Sequence, residues 1–244
     1  MKSPRILIGS AVYNEAPYLR ETIPAILAQS YPDFRLVLLD NGSTDGSADI
    51  LDEYAEQDSR IALLHEPTNL WGPVVGNRIY RYGLTLWPGV EWVLGAGADD
   101  IMAPGYLEAI LRAADNDPTA NLIFSPVTFI GHPEKGVTRY PPYNPATVHT
   151  EVQIPGWRAV RRDLWEAVGD EAEGIKIGAD WDWAARASAM GVLKPVQLAE
   201  PHLAMRVREG ARVSLSHQVD WPALHRHLCG VVGAAVPKWA KGRG

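Results

Sequence analysis

The sequence has a single cysteine, Cys229, among 244 residues. That excludes an intramolecular disulfide framework and any zinc site built on cysteines. No apolar run approaches the roughly 20 residues that cross a bilayer. The first ten residues, Met1 to Ser10, carry two basic side chains but no long apolar core and no small-residue cleavage site, so they do not read as a signal peptide. Basic residues do not dominate: 23 Lys/Arg stand against 29 Asp/Glu, a net charge of −6, which argues against a nucleic-acid binder. Internal repeats and low-complexity tracts are absent. The expectation is a soluble cytoplasmic protein. With 46% hydrophobic and 21% charged residues the chain has ordinary globular composition, and its length suits one α/β domain with a small extension. The charge is unevenly spread. Residues 1–130 hold 8 Lys/Arg and 17 Asp/Glu, a net of −9, whereas 131–244 hold 15 and 12, a net of +3.

The first half alternates between two hydrophobic periods. Arg5–Val12, Phe34–Leu39, Ile61–Leu64, Trp92–Leu94 and Asn121–Phe129 read as strands. Between them Ala16–Ser30, Ser47–Gln57, Gly76–Leu86 and Pro104–Ala114 read as helices, the last with Pro104 at a favoured first position. That alternation predicts βαβ units and a mostly parallel sheet flanked by helices. Past Gly131 the rhythm breaks. Residues 131–155 hold five prolines with little periodicity and read as a long irregular excursion, an acceptor lid or a disordered connector. Helices are expected at Arg162–Val168, Ala179–Met190 and Val219–Val232, and a short strand at Pro195–Leu198.

Parallel open sheets bind ligands at the carboxyl ends of their strands. Three polar clusters fall there: Ala11-Val12-Tyr13-Asn14-Glu15, Asp40-Asn41-Gly42-Ser43-Thr44-Asp45, and Gly97-Ala98-Asp99-Asp100. One such cluster is explained by turn chemistry; three on one sheet edge suggest a site. Asp99 and Asp100 repel each other without a cation, and a hard ion such as Mg2+ or Mn2+ takes carboxylate oxygens.

On these stretches the chain resembles glycosyltransferase family 2, with the GT-A nucleotide-sugar-binding fold. The matching segments are Ala11–Glu15 (AVYNE), Gln29-Ser30-Tyr31, Asp40–Ser47 (DNGSTDGS), Asn69–Asn77, Ala98–Pro104 (ADDIMAP), Gly156–Arg161, Gly169, Gly178–Arg186 (GADWDWAAR), Gly191 and the run from Arg206 to Ser214. The resemblance implies a domain over 1–216, with a nucleotide-sugar part to about 130 and an acceptor part beyond it, followed by a helical tail over 217–244. It implies that Ala11, Tyr13, Glu15, Asp40, Asn41, Asn77, Arg78, Asp99, Arg206 and Arg208 bind the donor, a UDP-, GDP- or dTDP-sugar. It further implies that Asp99 and Asp100 hold Mg2+ or Mn2+ on the diphosphate, and that Asp180 is the base of an inverting displacement onto an acceptor hydroxyl. Asp182 cannot share a face with Asp180 on a helix and is the alternative base.

The chain also departs from the family. Gly97 stands where the acidic motif usually has another Asp, Ala179 where Glu often precedes the base, and Arg208 where the late motif has His. His202 is a candidate for the missing ligand, and Arg206, Arg208 and Arg212 for neutralising phosphate in the metal's stead. Trp157 and Trp181 are candidates for stacking on the acceptor, with core packing as the other reading; Trp165 and Trp183 read as core. The tail Leu228–Val236 with Lys238, Trp239, Lys241 and Arg243 reads as a helix packed on the domain or on a second copy rather than as a membrane-surface contact. Two rival readings stand beside the transferase: a nucleotidyltransferase, disfavoured because Val12-Tyr13-Asn14-Glu15 is not a glycine-rich basic loop, and a degenerate nucleotide-sugar binder.

Overall fold

The structure is a computed structural model that describes residues 4–70, 72–175, 178–207 and 221–233. Strands β1 (Ile6–Val12), β2 (Phe34–Asn41) and β3 (Ile61–Glu66) alternate with helices α1 (Ala16–Leu27), α2 (Ser47–Gln57) and α3 (Pro73–Leu86). There follow β4 (Trp92–Gly95), β5 (Ile101–Met102), α4 (Tyr106–Asn116), β6 (Leu122–Phe124) and β7 (Val127–Ile130). The chain continues through β8 (Arg158–Arg161), α5 (Arg162–Val168), α6 (Ala179–Ala189), β9 (Pro195–Gln197), β10 (Leu203–Arg206) and α7 (Trp221–Val232).

Seven strands form the main sheet in the order β3-β2-β1-β4-β8-β6-β9. All its pairings are parallel except those of β8, which runs antiparallel to both β4 and β6. A smaller sheet, β5-β10-β7, packs beside it. The mixed α/β architecture with a mostly parallel sheet is the one the alternating periods predict. β1 and β2 are continuous apolar runs because helices cover both their faces: Leu19, Ile23 and Ile26 of α1 pack on one side and Val75 and Ile79 of α3 on the other. α3 sits close to β1, since a Cβ on Gly9 would stand 2.5 Å from Ile79 Cγ2.

Two expectations need correction. Asn121–Phe129 is two strands: Pro126 has no N–H to continue the ladder, and β7 leaves the main sheet for the small one. β8, whose four residues RAVR carry too little pattern to declare a strand, fills the place between β4 and β6. The excursion 131–155 packs on the domain through its later residues. Val148, Gln153 and Ile154 are buried, the Tyr143 hydroxyl meets Ser188 Oγ at 2.8 Å, and the Trp181 indole N–H donates to the Val148 carbonyl.

α7 lies against α6 through Leu224 and Leu228, which pack with Trp181 and Ala185. Each such leucine contributes about 1.5–3 kcal/mol by leaving water. Cys229 is buried there, as a small apolar residue would be. Residues 234–236, Lys238, Trp239, Lys241 and Arg243 lie outside the described residues. No helix among the described residues is long and apolar enough to cross a membrane.

Candidate active site

After β3 the strand order returns to the other side of β1, so the crevice between β1 and β4 is the topological switch point where open α/β sheets bind ligands. A cleft of about 390 Å³ opens there. Gly9 and Ala11 of β1 and Gly95, Ala96 and Gly97 at the end of β4 form part of its wall, with Gly72, Gly76, Ile79 and Tyr80 of α3 and its approach. The remaining wall is Gly156, Trp157, Trp165, Glu171, Gly178, Ala179 and Asp180. Many of these residues are glycines, which lets a ligand approach the backbone closely.

Two side chains fit only because a glycine stands beside them. A Cβ on Gly156 would lie 2.9 Å from Asp180 Oδ2, and a Cβ on Gly97 would lie 2.4 Å from Asp100 Oδ2. Asp180, in the first turn of α6, therefore has its carboxylate against the Gly156 backbone at the cleft wall. Asp182, two residues on, is buried: one oxygen accepts from Arg186 Nε at 2.9 Å and the other lies 2.6 Å from His227 Nε2, joining α6 to α7. Trp165 lines the cleft as well as packing edge-on to Tyr80 at 5.0 Å and stacking with Trp183 at 5.8 Å.

Beyond the cleft rim at Gly97, Asp99 and Asp100 are both buried. Asp100 Oδ1 accepts the Arg206 backbone N–H at 3.0 Å, and Arg206 Nε donates to the Asp99 carbonyl at 3.1 Å. The Arg206 guanidinium also reaches Glu21 at 2.6 Å and stacks over Tyr18 at 4.7 Å. Two carboxylates beside a ligand cleft fit a hard divalent ion, which is commonly held by one or two protein carboxylates with phosphate and water oxygens completing its shell. Among the described residues no group of three or more His, Cys, Asp or Glu side chains is placed to hold a metal by itself.

On the other side of β1, the loops after β1 and β2 are locked together. Ser43 Oγ accepts the Asn14 N–H, Ser47 Oγ the Glu15 N–H and Asp45 Oδ2 the Ala16 N–H, so the second loop supplies the acceptors for the start of α1. Asn14 takes a positive φ of 54° and accepts the Thr44 N–H in return. Burial works against the charge on Asp45, but hydrogen bonds from Ser47 and the Ala16 N–H outweigh it and hold the carboxyl below its ordinary range. Asp40 is buried and accepts the Ser43 N–H, while Asn41 bridges to Asn69 and Leu70. Tyr13 projects from this edge, 45% exposed.

Residues 8–168 match the sequence model of Glycosyl transferase family 2. The chain belongs to this family. An uncharacterised glycosyltransferase of Haemophilus influenzae is 37% identical over 112 residues, 46% of this chain and 43% of that protein. Glycosyltransferase GlyG of Streptococcus pneumoniae serotype 4 is 32% identical over 110 residues, 45% of this chain and 35% of that protein. The chain thus spans less than half the length of these relatives. Among solved structures, Staphylococcus aureus TarS 1–349 in complex with UDP-GlcNAc aligns with a TM-score of 0.70 at 18% identity, covering 96% of this chain and 68% of that one. The mannosyltransferase PcManGT of Pyrobaculum calidifontis, in complex with GDP-Man and Mn2+, aligns with a TM-score of 0.63 at 21% identity, covering 98% and 72%. At these identities the likeness is one of fold, the GT-A fold that the family motifs imply.

Several residues that the family resemblance singles out stand elsewhere. Asn77 is buried and does not line the cleft: its side chain donates to the Glu171 carbonyl at 2.9 Å and accepts the Glu171 N–H at 3.0 Å. Arg78, one residue on along α3, pairs with Glu66 beside a separate groove with Arg81 and Tyr82. His202 does not join Asp99 and Asp100. Its ring stacks on Tyr106 at 5.5 Å, in a hollow with Arg112 and Asn116 behind α4, and burial holds its pKa below the usual histidine value. Trp181 is a core residue between α6 and α7, with its ring against His225, whereas Trp157 lines the cleft. Arg208 and Arg212 lie outside the described residues. Glu171 was not singled out by any motif, yet it lines the cleft with Asp180, its side chain 23% exposed.

Proposed function

We propose that the chain transfers a sugar from a nucleotide-diphosphate donor to an acceptor hydroxyl, inverting the anomeric centre, with Asp180 as general base. The observation that carries this reading is a carboxylate at the wall of a glycine-rich cleft at the β1/β4 switch point, in a chain of this family. TarS bound to UDP-GlcNAc and PcManGT bound to GDP-Man support a nucleotide-sugar as the ligand class.

The edge formed by Ala11, Tyr13, Glu15, Asp40 and Asn41 receives the nucleotide base and ribose, with the loop–loop lock holding it rigid. Asp99 and Asp100 would hold a divalent ion, Mg2+ or Mn2+; such an ion neutralises the charge that gathers on the leaving diphosphate. Arg206 stands beside the same acids with a guanidinium suited to phosphate oxygens. An acceptor hydroxyl is a weak nucleophile, and Asp180 removes its proton as it attacks. Trp157, in the same wall, offers a ring face for the acceptor sugar.

The test is a thermal-shift series with UDP-, GDP- and dTDP-sugars, with and without Mn2+, followed by turnover of the responding donor by wild type and Asp180→Asn. Binding to the native state raises the melting temperature with the logarithm of ligand concentration over Kd. One donor class should stabilise both proteins, while turnover by the variant falls by about 100-fold or more. A flat response to every donor, or a variant that turns over like wild type, refutes the reading.

A further inference from the structure

Resting on that reading, we propose that Glu171 binds the sugar of the donor, its carboxylate accepting a hydrogen bond from a sugar hydroxyl in the cleft.

Glu171 follows α5 in a segment without regular structure, yet it is held at three points. Asn77 grips its backbone on both sides, through the N–H at 3.0 Å and the carbonyl at 2.9 Å. Arg158 Nη2 donates to its Oε1 at 3.2 Å. That guanidinium is itself fixed: the Arg158 side chain is 3% exposed, donates to the Pro155 carbonyl at 3.1 Å and stacks 5.0 Å over the Trp183 ring. The carboxylate is thus positioned by β8, α3 and the core beneath it.

What it holds in place is an unused acceptor. An ionised carboxylate has about four lone-pair sites. Among the described residues Oε2 takes no hydrogen bond, and the side chain is 23% exposed at the cleft wall. Partial burial of a charge is costly unless it is paired, and one arginine contact satisfies only one oxygen. Burial, opposed by Arg158 and reinforced by the nearby Asp180 carboxylate, pushes the Glu171 pKa above its usual value. The titratable and charged groups whose fields reach it are Arg158 from β8, Tyr80 from α3, and Asp180, Asp182 and Arg186 from α6.

The chemistry of the missing partner follows. A phosphate would be repelled by a carboxylate, and the acids and arginine suited to the diphosphate stand beyond the rim at Gly97, not on this wall. A neutral group with an O–H to donate satisfies Oε2 without adding charge, and a sugar hydroxyl is that group. A hydrogen bond to a charged acceptor discriminates strongly against a ligand that lacks the donor.

The test compares UDP-GlcNAc with UDP, and GDP-mannose with GDP, as ligands of wild type, Glu171→Gln and Glu171→Asp in Mg2+ buffer. Tryptophan fluorescence is the readout, since Trp157 and Trp165 line the cleft. Glu171→Asp keeps a negative charge near Arg158 but withdraws the carboxylate by one methylene, so it serves if Glu171→Gln does not fold. For the pair that wild type binds, the variants should bind the nucleotide-sugar about tenfold more weakly and the bare diphosphate within about twofold of wild type. Equal losses for both ligands, or none for either, overturn the assignment and leave Glu171 as a support for Arg158. Failure of wild type to bind any of the four probes, or dTDP and a dTDP-sugar, refutes the donor reading itself.

Discussion

Gly97 offers a sharp test because the cost of the same substitution should depend on one neighbour. Its φ is not positive, so nothing in its own backbone demands glycine. At such a position Gly→Ala ordinarily stabilises by about 0.4–1 kcal/mol by restricting the unfolded chain. Here a Cβ would stand 2.4 Å from Asp100 Oδ2, a full ångström inside the 3.4 Å at which ordinary contact begins. The Asp100 carboxylate must swing away and release the Arg206 N–H it accepts at 3.0 Å. Loss of a hydrogen bond to a charged acceptor costs about 1.5–3 kcal/mol. For a chain of this size that lowers the melting temperature by about 3–12 °C. In an Asp100→Ala background the carboxylate is gone and only the Cβ of residue 100, 3.3 Å away, still crowds the new methyl, so adding Gly97→Ala should be within about 0.5 kcal/mol of neutral. Thermal melts of the four proteins close a double-mutant cycle. Gly97→Ala melting at or above wild type with Asp100 intact would refute the argument. The same geometry predicts that Gly97→Asp, which writes the family's first acid back into the motif, displaces Asp100 instead of adding a ligand beside it.

Other expectations follow from single contacts. Gly156→Ala places a Cβ 2.9 Å from Asp180 Oδ2 and should lower turnover while leaving the affinity for a bare nucleoside diphosphate within about twofold of wild type; unchanged kinetics would show that Asp180 has room to adjust. Asn77→Ala removes both hydrogen bonds to the Glu171 backbone and should destabilise by about 1–3 kcal/mol in urea unfolding. His225 is buried against Trp181, and burial first, then His149, hold its pKa below the usual histidine value. The unfolded chain therefore takes up that proton at higher pH than the folded one. The stability of the neutral form is present above about pH 6.5 and is lost as pH falls below it, by at most about 1.4 kcal/mol per pH unit. Urea midpoints between pH 7.5 and 5.5 should fall less steeply for His225→Gln than for wild type.

The first half of the fold was legible because its strands are long, apolar and separated by turn residues with one meaning. DNGSTDGS marked both a turn and a strand end, and its side chains complete the start of α1 across the neighbouring loop. The rest was less legible because β5, β8 and β10 have two to four residues each, below the length at which a period can show. Their pairing is set by the partners waiting in the sheet. Glu171 was invisible for a related reason: its role depends on Arg158, 13 residues earlier, and on Asn77, 94 residues earlier.

Motif matching also does not tell which way a side chain faces, and the start of α6 shows what that costs. Successive residues on a helix point about 100° apart. Asp180 stands at the cleft wall, Trp181 faces α7, Asp182 meets Arg186 and His227, and Trp183 lies in the core beside Trp165. Within this one turn Asp180 and Trp181 could not both serve the ligand, so assigning the acid to catalysis removes the tryptophan from the acceptor. The same rotation separates Asn77 from Arg78 on α3, where one clamps Glu171 and the other pairs with Glu66. The tryptophans left on the cleft wall are Trp157 and Trp165. Of these, Trp165 is 6% exposed and already wedged between Tyr80 and Trp183, so Trp157 is the one we propose for the acceptor.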